Sequence, residues 1–452
     1  MSFVTLLVIL SLCQIAWILL GIRWVARKHD EIPLLISTLL FYVFTFRFWA
    51  LLQGWASPVD LGNFGFDPID PKGALDVQAI ATLAETVLLS VYMLAQRRRL
   101  DVPDKLASPE LLDWLKPRVA ALGVICVLLS LLARWSVGAQ IASGKSMGFE
   151  VSSYVSLFSL SLVGVAILIA ALWKSRAFRP GGERFGAALL FVAIIYLTFQ
   201  PSMRFQFLGW CVAVTIIFSS GQSFVRRGQV LAIGLVGAVG LFAVAGALRT
   251  TEDPTVELEQ SAWERLAFAQ DANMLDGFVL LRQVYPRLLG YSYGREHLEI
   301  FERPIPRAWW PDKPVGGYMN KLGIITADSG FTLGISPSLF GSFYQEGGVV
   351  GVVLLSIIYG FGFGRLVSFS TRIVPLTGLL LRGILAAAIV PLLRGGDLPG
   401  IYAWFGMSFW PCLLLLWFRR REFFARIPYL QQFANDVPVR MERGRSGEHS
   451  LV

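Results

Sequence analysis

The sequence predicts an all-α polytopic membrane protein, and three observations predict it. Apolar residues make up 55% of the 452 residues and charged residues only 16%, with a mean hydropathy of +0.60, far from the balance of a soluble domain. The apolar residues fall into runs of bilayer length. The basic residues gather on every second connection between those runs.

The first run, 2–22, is about long enough to cross a hydrocarbon core of roughly 30 Å. No basic segment precedes it and Arg23, Arg27 and Lys28 follow it, the reverse of a secretory signal peptide, so it reads as a retained helix. Further runs occupy 33–52, 76–96, 117–138, 151–173, 185–200, 204–219 and 229–248, then 347–366, 373–393 and 401–418. Together they predict about eleven spans. The chain divides into an N-terminal bundle (1–248), a long polar interval (249–346), C-terminal helices (347–426) and a polar tail (427–452) whose composition predicts disorder.

The connections alternate in charge. One set holds Arg97, Arg98, Arg99 and Lys105, then Lys174, Arg176, Arg179 and Arg184, then Arg226 and Arg227, then Arg365 and Arg372, and finally Arg419, Arg420 and Arg421. The other set is acidic or near neutral, with Asp60, Asp67 and Asp70 against Lys72 in the first of its members. The positive-inside rule then puts both the N-terminus and the interval 249–346 outside, and the C-terminus in the cytoplasm. The net charge of +9 is spent on orientation, which excludes nucleic-acid binding as its purpose. The four cysteines, Cys13, Cys126, Cys211 and Cys412, lie inside apolar runs and read as small buried hydrophobes.

The interval 249–346 carries most of the candidate chemistry. Trp263, Leu266, Ala267, Gln270, Met274, Phe278 and Leu281 recur at helical spacing, predicting one or two helices against the membrane surface or the bundle mouth until Pro286 and Gly290 interrupt them. The prolines of RPIPRAWWPDKP (303–314) forbid a regular helix, while Trp309 and Trp310 suit the membrane interface, either as simple anchors or as binding faces. Arg47, Glu85, Arg134, Arg204, Arg249, Arg382, Arg394 and Asp397 fall within or at the ends of spans, where an unpaired charge costs about 3 kcal/mol on insertion scales. Arg204, Arg249 and Arg394 share the outer side, and their forked donors suit one anionic group, phosphate above all; the alternative is that each reaches the headgroups alone. Arg47, Glu85 and Arg134 read as structural partners inside the bundle. His297, beside Glu296 and Glu299, lacks a second ligand at metal spacing and reads as a surface histidine, so no metal or other cofactor is expected. Gly360, Gly362 and Gly364 lie inside a span and read as close helix packing, and the absence of GxSxG, P-loop and HExxH patterns removes hydrolase and ATPase readings.

The order of motifs resembles the Wzy family of oligosaccharide repeat-unit polymerases, which make O-antigen and enterobacterial common antigen and have a GT-C type fold. The resemblance rests on PSMRF (201–205), IPRAWWPDKP (305–314), GISPSLFGSFYQEGG (334–348) and LLRGGD (392–397). It covers the C-terminal half, and the earlier spans match by topology alone. Many members carry Glu where this chain has Ser342. The resemblance implies transfer of a growing glycan from undecaprenyl diphosphate to a second lipid-linked repeat unit, at the periplasmic face of the bacterial inner membrane, alongside a chain-length regulator and a flippase. It implies substrate binding by Arg204, Arg394, Arg249, Arg307, Lys313, Trp309 and Trp310. An acidic residue of the interval would take the acceptor proton: Asp276 or Asp271 ahead of Glu346, the first two lying about 140° apart on a helix so that one of them faces the site. An O-antigen ligase-like transferase has the same frame, and a lipid-linked oligosaccharide flippase is the non-enzymatic alternative.

Overall fold

A computed structural model describes residues 2–103, 105–142, 149–199, 204–251, 273–302, 305, 309–310, 317–324 and 335–426. Among these there is no β-strand, and every apolar run of the sequence forms a helix. They are α1 (Phe3–Lys28), α2 (Ile32–Leu52), α3 (Pro71–Ala95), α4 (Pro109–Ala142), α5 (Phe149–Lys174), α6 (Gly182–Thr198), α7 (Arg204–Ser219) and α8 (Phe224–Thr251). After the polar interval come α12 (Ser338–Ser370), α13 (Pro375–Arg394), α14 (Leu398–Phe418) and a short α15 (Arg420–Phe423). Within the interval lie α9 (Met274–Val284), α10 (Arg295–Glu302) and α11 (Tyr318–Lys321). Among the described residues, seven helices are long and apolar enough to cross a membrane: α1, α2, α3, the Pro109–Leu132 part of α4, α12, α13 and α14. The protein is therefore membrane-embedded.

The helix starts follow local chemistry. Ser2 caps α1 by accepting from Thr5 N at 3.2 Å, Asp70 caps α3 through Gly73 N at 2.9 Å, and Asp397 caps α14 through Gly400 N at 3.1 Å. Pro71, Pro375 and Pro399 occupy first-turn positions where no backbone donor is needed.

Two cores form. One joins α1, α2, α3, α9 and α12 through residues such as Leu40, Phe44, Leu88, Phe278 and Phe340; the other joins α4–α7, α13 and α14 through Val165, Leu168, Trp210, Leu380 and Phe409. Helix α13 is central, with 94% of its apolar window buried, whereas α1 buries 17% and turns Val4, Val8, Leu12 and Leu19 outward. Two of the three glycines of YGFGFG serve packing: a methyl group at Gly360 or Gly364 would meet the carbonyl oxygen of Leu88 or Tyr92 at 2.4 or 2.6 Å, whereas one at Gly362 would meet nothing within 4 Å. The two helices thus run parallel in contact.

Helix α12 is interrupted where the sequence reading began its span. Gly347 (φ −176°) and Gly348 (φ 63°, ψ −149°) leave helical geometry. The chain folds back there, because the rings of Phe343 and Tyr359 lie 4.9 Å apart, whereas an unbroken helix would hold residues 343 and 359 about 24 Å apart. Helix α9 packs into the mouth of the bundle with every residue from Met274 to Leu281 buried, so of the two positions open to it the membrane surface is not the one it takes. The earlier members of the expected helical pattern, Trp263, Leu266, Ala267 and Gln270, lie outside the described residues.

Candidate functional site

The start of α12, the turn before α10 and the start of α14 meet at one end of the bundle. Ser292 N donates to Gln345 O at 3.0 Å and Tyr293 N to Glu346 O at 2.9 Å, so the turn is stitched to the last residues before the α12 break. That stitching brings His297 to Glu346.

Glu346 is buried, and each of its oxygens is engaged. Oε2 accepts from Ser292 Oγ at 2.8 Å and from Gly294 N, and Oε1 pairs with His297 Nδ1 at 2.8 Å. His297 Nε2 lies 3.0 Å from the Tyr359 hydroxyl, which lies 2.6 Å from the Tyr402 hydroxyl. One assignment of protons satisfies the row: Nδ1–H donates to the carboxylate, Tyr359 donates to Nε2, and Tyr402 donates to Tyr359. The result is a carboxylate-oriented imidazole whose basic nitrogen ends a chain of two phenols. With 25% of its side chain exposed, His297 is accessible from outside the bundle.

Basic and acidic groups surround this row. Lys321 pairs with Glu296 and lies 3.7 Å from Glu299, both buried on α10. Burial first, and Arg295 second, hold the Lys321 ammonium below its ordinary range, against the pull of Glu346 and Asp397. Lys321 therefore stands within electrostatic reach of both the Glu346 row and the turn after α13. Burial, with help from Glu299 and Glu346, pushes the Tyr285 hydroxyl up to about 12.

The turn after α13 is locked to the start of α12. Ser336 Oγ lies 2.6 Å from Arg394 O and 2.8 Å from Gly395 O, Gly396 N donates to Ser342 Oγ at 3.2 Å, and Ser338 bridges Gly395. Only glycine fits at 395: its φ is 69°, and a Cβ there would meet the Ser338 backbone at 2.1 Å. Ser338 itself has φ 65°, a left-handed conformation of the kind that gathers at functional sites. The Arg394 guanidinium stacks over the Phe205 ring at 4.8 Å, which brings the backbone of Arg204 beside Arg394 where α7 begins and α13 ends. Residue 249 closes α8 at the same end, since α8 packs back along α7 with Gly234 against Thr215. The side chains of Arg204 and Arg249 lie outside the described residues, as do Asp271, Arg307 and Lys313 altogether. Trp309 is 82% exposed and Trp310 partly buried.

Asp276 has a different setting from Glu346. It is fully buried and faces Arg47, whose Nε and Nη2 reach its two oxygens at 3.2 and 2.7 Å, while Val59 N donates to Oδ2 at 3.0 Å. Arg47 is thereby a structural partner, as the sequence reading expected, and Arg134 likewise donates to Leu197 O at 2.7 Å, whereas Glu85, expected with them, has no hydrogen-bond partner on either oxygen. The sequence reads His297 as a surface histidine, whereas it is only a quarter exposed between Glu346 and Tyr359, and Tyr359, Tyr402 and Ser292 were missed. The available signal was that His297 is the one histidine, of three in the chain, that falls within the long polar interval.

Compared with protein families, curated proteins and solved structures, the chain matches none.

Proposed function

We propose that the protein is a membrane glycosyltransferase that polymerises undecaprenyl-diphosphate-linked repeat units at the periplasmic face of the inner membrane, with about eleven spans and a cytoplasmic C-terminus. The observation that carries this reading is the Glu346–His297–Tyr359–Tyr402 row set beside the Ser336–Ser342 and Arg394–Asp397 turns. A transferase of this kind needs a proton acceptor for the incoming hydroxyl and fixed positive charge for a departing diphosphate.

In this mechanism the acceptor hydroxyl attacks the donor sugar carbon as its bond to the diphosphate oxygen breaks. The lipid diphosphate leaves with its negative charge, held by Arg394 and Arg204. The hydroxyl proton passes through Tyr402 and Tyr359 to His297 Nε2, and Glu346 stabilises the imidazolium that forms. His297 thus takes the base role that the sequence assigned to a carboxylate, and Glu346 orients it. Asp276 holds Arg47 in the bundle and Val59 at its edge instead of serving as the base. Arg307, Lys313, Arg249, Trp309 and Trp310 complete the substrate-binding set on the strength of the motif resemblance alone.

A cell-free assay with purified protein in liposomes and lipid-linked repeat units tests the reading. Polymerase activity produces a ladder of lengthened lipid-linked glycans. A ligase produces a single transfer that requires the lipid core as acceptor, and a flippase moves repeat units across the bilayer without lengthening them. Either of those outcomes without a ladder rejects the proposal.

A further inference from the structure

Away from the candidate site, a row of polar side chains is buried among α1, α2 and α3. Gln14 and Gln78 are fully buried and Thr45 is 1% exposed. Gln78 Nε2 donates to Thr45 Oγ1 at 2.7 Å, and Thr45 Oγ1 in turn donates to Gln14 Oε1. Thr45 belongs to a π-helical stretch, Phe41–Phe46, in the middle of α2. Such widened turns recur at functional positions because they release backbone groups and re-aim side chains.

Glu85 lies beyond this row. It is fully buried in α3 on the same face as Gln78 and about 10 Å deeper along the helix. The Gln14 amide faces it without the geometry of a hydrogen bond. Neither Glu85 oxygen, nor Gln14 Nε2, nor Gln78 Oε1 has a hydrogen-bond partner. On α12, which runs parallel to α3 with Gly360 at Leu88, Ser356 stands at about the level of Glu85, fully buried and with its hydroxyl also unpartnered.

No countercharge meets Glu85 among the described residues. From α1 it faces Gln14, and from the π-helical stretch the next polar group is Thr45. The titratable residue of α12 on that side, Tyr359, is bonded to His297 and Tyr402, and Asp276 of α9 is bonded to Arg47, whose guanidinium is thereby committed. An isolated carboxylate in a low-dielectric interior is too costly to persist, so a carboxyl in this setting takes up a proton or a cation. Glu85 and Gln78 are too far apart to share an ion shell of five or six oxygens.

We propose that Glu85 is a proton-binding site inside the membrane, reached along the row Gln78, Thr45 and Gln14 from the bundle end that holds Arg47 and Asp276. The step is reversible transfer of one proton from a hydronium ion that enters beside the row to a Glu85 oxygen, leaving water behind, with Gln78, Thr45 and Gln14 lining the entry and keeping their own protons. The site is separate from the Glu346 row and stands whether or not the protein is a glycosyltransferase.

Dicyclohexylcarbodiimide tests this on the intact purified protein, because it reacts with protonated carboxyls in apolar surroundings. The carboxyl proton moves to a reagent nitrogen, the carboxylate oxygen adds to the central carbon, and the acyl group migrates to nitrogen, so the product keeps every atom of the reagent. Peptide mass mapping is expected to find the adduct at Glu85, with labelling that falls as pH is raised and is unchanged by sodium chloride. Thr45→Val and Gln14→Leu are expected to slow labelling several-fold. Infrared difference spectra of wild type minus Glu85→Gln are expected to show the C=O stretch of a protonated carboxyl. Protection by sodium would replace the proton with a metal cation and overturn the proposal. An infrared signal of carboxylate alone across the stable pH range would overturn it too, as would an unlabelled Glu85 in folded protein that labels after unfolding.

Discussion

Asp276 and Glu346 are both buried carboxylates near the mouth of the bundle, and their partners separate their roles. Asp276 meets a guanidinium and a backbone amide, so its charge is neutralised within the fold. Asp276→Asn leaves Arg47 buried without its countercharge, a change that costs about 3–5 kcal/mol of stability. Thermal unfolding in detergent is expected to record that loss, and Asp276→Leu combined with Arg47→Met is expected to recover most of it. Asp30, between α1 and α2, shows the opposite balance. Burial raises its carboxyl above the ordinary 3.8 despite hydrogen bonds from Tyr92, Trp24 and Ile32. A carboxyl whose proton is held more tightly in the folded state favours folding below 3.8. That contribution is lost as pH rises through the raised folded value. Asp30→Asn is therefore expected to flatten the dependence of unfolding temperature on pH above 3.8, and an unchanged slope would remove the assignment.

At the scale of elements, the break in α12 and the turn after α13 make the site. Gly395→Ala forces a left-handed alanine, worth about 1–2 kcal/mol by itself, and drives a methyl into the Ser338 backbone. The unfolding temperature is expected to fall and activity to go with it, while Gly362→Ala, whose added methyl meets nothing within 4 Å, is expected to leave both near wild type. The long apolar runs were legible because hydropathy alone dictates a helix in lipid, and the start of the span at 347 was legible because Gly347 and Gly348 end a polar segment. Helix α10 was not, since it is short and turns Glu296 and Glu299 inward while exposing Leu298 and Phe301, an inversion of the usual amphipathic pattern. The row at His297 was hidden for another reason. Its partners are 49 and 62 residues away in sequence, so no local spacing encodes them.

For the whole molecule, the proposed roles of the Glu346 row, Glu85 and the stacked Arg394 depend on which way the bundle faces. In the orientation proposed from the charge pattern, the end bearing Glu346, Arg394 and Asn63 is outside and the end bearing Arg176 inside. In a variant with the four native cysteines replaced, Asn63→Cys is expected to react with an impermeant thiol reagent from outside and Arg176→Cys only after the membrane is opened. The reverse pattern would place the row on the wrong side for periplasmic transfer.

The central claim is that His297, oriented by Glu346, takes the acceptor proton. The most direct measurement is the rate of polymer formation in liposomes for wild type, His297→Gln and Glu346→Gln, at saturating lipid-linked repeat unit and across pH. Loss of a general base predicts rates reduced by about 10²–10⁴ for His297→Gln, with lipid-linked substrate still bound and the fold intact. Glu346→Gln is expected to lose rate as well, because the amide cannot accept from Ser292, Gly294 and His297 together. A His297→Gln protein that builds the polymer ladder at the wild-type rate would contradict the account.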